Sequence, residues 1–144
     1  MRIVLVALIV AALLAGGCSS FISRATTSTP AITAAQQGMI DQIRFYNYET
    51  DRVDPNCEYC PEVGARDYLS GLTDGIGPIT PKGWAVEMRA DNVTAEVTYT
   101  WLNEGIRQVA TWVLNTNTGK FRSEGINAMY INNTIIKKQL TAKD

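Results

Sequence analysis

The sequence predicts an α+β fold: two N-terminal helices packed on one face of a three- to four-stranded antiparallel sheet. Three observations carry that prediction. Apolar residues recur at helical spacing up to Leu72, and from Trp84 onward they alternate with polar ones. Turn residues rich in Asn and Gly punctuate the second half at hairpin intervals. Helices that precede a run of hairpin-linked strands have one sheet face to cover, which is the α+β arrangement.

The first helix is expected over 33–48. Thr33 and Gln36 form a capping-box pattern, and Met39, Ile40, Ile43 and Tyr46 follow on one face. Asp51 to Cys60, DRVDPNCEYC, reads as a loop. Pro61 suits a first helical position, and Ala65, Tyr68, Leu69 and Leu72 give a second helix its apolar side. Trp84, Val86 and Met88 mark a first long strand, and Asp91-Asn92 a turn. Ala95, Val97, Tyr99 and Trp101 then alternate with Glu96, Thr98 and Thr100, a strand with one dry face and one wet face. After the Asn103-Glu104-Gly105 loop, Ile106 to Leu114 carries apolar groups on both faces and reads as a central strand. Residues 120–131 are expected to form a fourth strand, broken or bulged near Gly125, and the tail from Thr134 a short helix. Trp84, Trp101 and Trp112 are expected near the core, with an exposed aromatic stripe as the rival reading.

Composition narrows the chemistry. The chain has 144 residues, 13 Lys plus Arg, 14 Asp plus Glu and no His. Imidazole catalysis, His-ligated metals and attached c-type haem are thereby excluded. The net charge of −1 lacks the basic footprint of nucleic-acid binding. Three cysteines cannot build a four-thiolate metal site within one chain.

The first 17 residues, MRIVLVALIVAALLAGG, combine one early Arg, an apolar run from Ile3 to Leu14 and small residues at the end. A spanning helix needs about 20 apolar residues, so this run is too short and reads as a secretory signal peptide. Leu14-Ala15-Gly16-Gly17-Cys18 resembles the lipobox of bacterial lipoprotein precursors, with Ala15 where that family usually has leucine. The resemblance covers residues 1–18 and implies a diacylglycerol on Cys18, cleavage before it and an acyl chain on the new N-terminus. No other cofactor is expected. Two or three acyl chains hold a domain on a bilayer, whereas one gives only marginal anchoring. Ser19, where the enteric family uses aspartate for inner-membrane retention, implies the outer membrane facing the periplasm. The organisation that follows is signal 1–17, lipidated cysteine and Ser/Thr-rich tether 18–32, and a single periplasmic domain 33–144.

Cys57-Glu58-Tyr59-Cys60 is the sharpest internal motif. With Cys18 lipidated, two thiols remain in an exported chain, and they are expected to pair. Their role is to fix the bend between the helices. A thiol–disulfide couple is the rival, disfavoured because no strand leads into the motif. Asp51, Asp54, Glu58 and Glu62 read as surface acids, and Ser123 has no hydrolase context. No catalytic or metal residue is assigned.

The expected function is therefore a non-enzymatic accessory, scaffold or protein-binding lipoprotein. Its partners are the bilayer through Cys18 and another envelope protein, not nucleic acid. The helix-then-sheet order is similar in architecture to small accessory lipoproteins of the outer-membrane barrel-assembly machine, with no shared residue motif. A sheet edge is the expected docking surface, with the basic tail and an exposed aromatic face as alternatives. The alternative function is a small-ligand or peptidoglycan-binding module with a cleft between helices and sheet.

Overall fold

In the computed structural model the described residues are 31–72 and 77–143. Helix α1 spans Ala34–Arg44. The Gln36 amide donates to Thr33 Oγ1 at 3.2 Å, and the Thr33 amide donates to Gln36 Oε1 at 2.9 Å, so the capping box forms as the sequence predicts. Ile40 and Ile43 turn inward and are buried.

The helix stops at Arg44, short of residue 48. Tyr46–Asn47 (β1) instead pairs antiparallel with Arg52–Val53 (β2), inside what the sequence presents as helix end and loop. Asn47 explains the break. Its buried side-chain oxygen accepts from the amides of Glu49 (2.9 Å) and Thr50 (3.3 Å), a local turn that competes with helix continuation. Asp51 closes the hairpin at φ 56°, a left-handed conformation that Asp tolerates better than most residues.

Helix α2 spans Pro61–Leu72 and buries Gly64, Ala65 and Leu69. Four strands follow: β3 (Ile79–Met88), β4 (Thr94–Asn103), β5 (Ile106–Asn115) and β6 (Phe121–Glu124). They form one antiparallel sheet in sequential order β3-β4-β5-β6. The hairpins are built by local chemistry. Asp91 Oδ1 accepts from the amides of Val93 and Thr94 at 2.9 and 2.8 Å. Glu104 and Gly105 both take positive φ (50° and 80°) between the paired residues Asn103 and Ile106, the signature of a two-residue type I′ turn.

Register places Trp84 opposite Tyr99, Val97 opposite Trp112, and Leu114 opposite Phe121. This face carries the core. Ala95, Val97, Trp101, Ala110, Trp112 and Leu114 are buried against Ile40, Ile43, Ala65, Leu69, Ala128 and Ile131 from the helices. Trp101 and Trp112 lie within the core as expected, and Trp84 packs at its margin. The opposite face, with Glu96, Thr98, Thr100, Thr111 and Glu124, carries no helix among the described residues.

The α+β class and the four-stranded antiparallel sheet agree with the sequence reading; the helical layer does not. The expected pair of N-terminal helices is replaced by three helices among the described residues, and the third of these, α3 (Ile126–Thr141), is the longest. α3 packs on α2, β5 and β6, whereas α1 and α2 meet only slightly. The strand expected over 120–131 ends at Glu124, and Gly125 follows at φ 80°, a backbone conformation outside the strand region. Beyond it, Ala128, Ile131 and Ile135 recur at spacings of three and four and are all buried, so helical burial overrides the short alternating pattern.

Candidate functional site

α3 has two apolar sides. Ala128, Ile131 and Ile135 face the core, and Ile131 is 0% exposed. Ile126, Met129, Tyr130, Ile136 and Leu140 lie on the outer side, with exposures from 48% (Tyr130) to 65% (Leu140). Offsets of 3, 4, 10 and 14 from Ile126 keep these five within one stripe along the helix. The stripe is anchored to the interior by rings. Tyr130 stacks on Tyr68 (centroids 6.1 Å apart), and Tyr68 meets buried Trp101 edge-on at 6.0 Å.

The core side of α3 is fixed as firmly as the outer side is bare. Asn132 Oδ1 accepts from Trp112 Nε1 at 3.4 Å and from Tyr48 Oη at 3.3 Å. Burial pushes the Tyr48 phenol up to about 12, against the opposing pull of the Asn132 bond. Gly64 of α2 lets the two helices approach: a Cβ there would stand 2.5 Å from Ile135 Cγ1 and 2.9 Å from the Ile131 carbonyl oxygen. Lys138 ion-pairs with Asp67 across the same seam.

The sheet edges are poor docking strands by comparison. β3 carries Pro81 and Lys82 beside an irregularity between Pro81 and Gly83, and β6 is four residues long. Proline, lysine, bulges and short strands all disfavour addition of a further strand.

Cys57 and Cys60 lie at disulfide distance, with Cα atoms 5.8 Å apart, immediately before α2. They are 7% and 1% exposed, so neither sulfur offers the accessible position that thiol exchange requires. Cys18, the expected lipid attachment, lies outside the described residues.

Of the acids singled out in the sequence, Asp51, Asp54 and Glu62 have structural partners. Glu62 Oε2 accepts from Trp84 Nε1 at 2.6 Å and from Arg44 Nε at 3.1 Å, joining α1, α2 and β3 at one carboxylate. Asp54 caps the Asn56 amide at 2.9 Å, and Asp51 meets the Tyr46 hydroxyl. No group of three or more His, Cys, Asp or Glu side chains is placed to hold a metal among the described residues. None of the described helices is long and apolar enough to cross a membrane.

Comparison with known proteins returns no matching family, no similar curated protein and no similar solved structure. The surface itself must therefore carry the functional argument. The outer stripe of α3 was hidden in the sequence by the alternation read across 120–131. The signal that could have found it is the 126, 129, 130, 136, 140 spacing, which fits a helix and not a strand.

Proposed function

We propose that this chain is a membrane-anchored envelope lipoprotein, lipidated at Cys18, whose domain serves as a non-enzymatic accessory subunit. Its docking surface is the outer side of α3, in place of the sheet edge favoured from sequence. The exposed apolar stripe is the observation that carries this reading. Isolated surface hydrophobics are ordinary, but five exposed apolar side chains along one helix side, with Asn133 and Lys137 set among them, make a recognition feature. An amphipathic helix presenting anchors at i, i+3, i+4 spacing fits a groove on a protein partner. Ser19 after the modified cysteine supports the outer membrane, facing the periplasm, as the address.

Isolation of the protein from its own membranes tests the anchor and the docking together. The expected intact mass is Cys18–Asp144 plus a diacylglycerol and an acyl group, with no alkylatable thiol before reduction. In mild detergent the protein is expected to migrate in a defined complex, and Ile136→Glu with Leu140→Glu should release it at unchanged fold stability. A mass without lipid removes the anchor. Co-migration that survives both substitutions removes α3 as the docking surface.

A further inference from the structure

We propose that the groove between the β1–β2 hairpin and the turn at 118–121 is a binding site for an acidic sugar. The groove is open and encloses about 650 Å³, within the rough 300–1,000 Å³ range of small-ligand sites. Three rings wall it. Phe121 meets Tyr46 edge-on at 4.8 Å, Tyr46 meets Tyr48 at 5.4 Å, and Tyr48 meets Phe121 at 6.2 Å.

Two cations complete the groove. Arg52 comes from the hairpin and Lys120 from the turn. Arg52 and Lys120, like Lys82, Arg107, Lys137 and Lys143, have no ion-pair partner among the described residues, and of these six they are the two that line the groove. A cation left unpaired beside aromatic surface is placed to receive an anion.

The groove is also held in shape before any ligand arrives. Gln42 Nε2 of α1 donates to the Gly119 carbonyl at 3.0 Å and clamps the turn to the helix. Gly119 takes φ 70°, a left-handed conformation that favours glycine, and a Cβ there would stand 2.6 Å from Gln42 Nε2 and displace the clamp. On the other bank, Asn47 fixes the hairpin through its two amide contacts. Preorganisation of this kind lowers the ordering cost of binding.

The mixture of groups selects the ligand class. Apolar ring surface accommodates the C–H face of a pyranose. Thr118 and Asp51 beside it offer hydroxyl and carboxylate partners for sugar hydroxyls, and Arg52 and Lys120 take a carboxylate or phosphate. An acyl chain needs an enclosed apolar cavity, which this open groove is not. A nucleic-acid strand needs more than two cations on a chain of net charge −1. The assignment stands independently of docking through α3, because the groove residues lie on other elements.

The test is titration of the full-length protein with three probes, followed by amide chemical shifts. The probes are N-acetylmuramic acid, glucosamine 6-phosphate and neutral N-acetylglucosamine. At least one acidic probe should bind with shifts centred on Tyr46, Arg52, Lys120 and Phe121, and the neutral sugar at least tenfold more weakly. Arg52→Gln with Lys120→Gln should weaken acidic binding at least tenfold at unchanged thermal stability. Preference for the carboxylate identifies a wall-type glycan as the source, and preference for the phosphate a glycolipid headgroup. The proposal is overturned by no binding of either acid, by equal binding of the neutral sugar, or by binding indifferent to the double substitution.

Discussion

The two sides of α3 share a composition and differ in everything else. Ala128, Ile131 and Ile135 are buried against the sheet and α2, while Ile126, Met129, Ile136 and Leu140 meet solvent half-exposed or more. Burial of apolar surface contributes about 25 cal/mol per Å². The inner side gains that stabilisation within the domain, and the outer side leaves it unrealised. One helix thus separates the residues that make the fold from those available to a second molecule. The comparison predicts that substitutions on the two sides act on different observables.

The largest effect should come from the inner side. Ile131→Ala is expected to destabilise the domain by about 2–5 kcal/mol, the range for emptying a well-packed aliphatic site. Urea unfolding measures it, and a loss under about 1 kcal/mol would mean the inner side is not the core. Gly64→Ala should follow at about 1–3 kcal/mol, because its Cβ overlaps Ile135 and the Ile131 carbonyl and must push α2 off α3. Relief of that loss by Ile135→Val would identify the clash as the cause.

Opening the Cys57–Cys60 link with paired serines should cost less than about 3 kcal/mol, since so short a loop constrains the unfolded chain little. Partner binding should be retained, as the link is not on the outer side of α3. Ile136→Ser with Leu140→Ser should change stability by no more than about 0.5 kcal/mol, like other exposed substitutions. A loss of several kcal/mol would erase the distinction between the two sides.

The smallest effect is a titration. Tyr48, hydrogen-bonded to Asn132 on the inner side, ionises near 12 in the folded protein, above its ordinary 10.0. The unfolded chain therefore loses this proton first. The stability linked to Tyr48 is intact below pH 10 and declines as pH rises toward 12. Tyrosinate absorbance should show late-titrating phenols, and Tyr48→Phe should remove the one near 12.

The hairpins of the four-stranded sheet and the first cap were legible because their signals are local. Alternation at Ala95–Trp101, Glu104-Gly105 at a type I′ turn and Thr33/Gln36 at a helix start each act within a few residues. The end of α1 was not legible. Tyr46 continues the helical spacing of Ile43, and only its ring contact with distant Phe121 and the turn chemistry of Asn47 show why the chain leaves the helix. The tail helix expected from Thr134 forms the second half of α3, but the first half of α3 was misread for the same reason it matters. Apolar residues on two sides blur a helical period, and Phe121 to Glu124 begins the segment as a true strand. The cysteine pair could be read from counting, whereas the groove gathers α1, the hairpin and the β5–β6 turn from distant parts of the chain.

The central claim is that the outer side of α3 meets a protein partner. Site-specific photocrosslinkers placed at Met129 and Ile136, and at Thr98 and Thr100 on the bare sheet face, test it in the protein's own membranes. The account predicts a discrete adduct of one mass from the α3 positions and none from the sheet. Adducts from the sheet face alone, or none from α3, would contradict it.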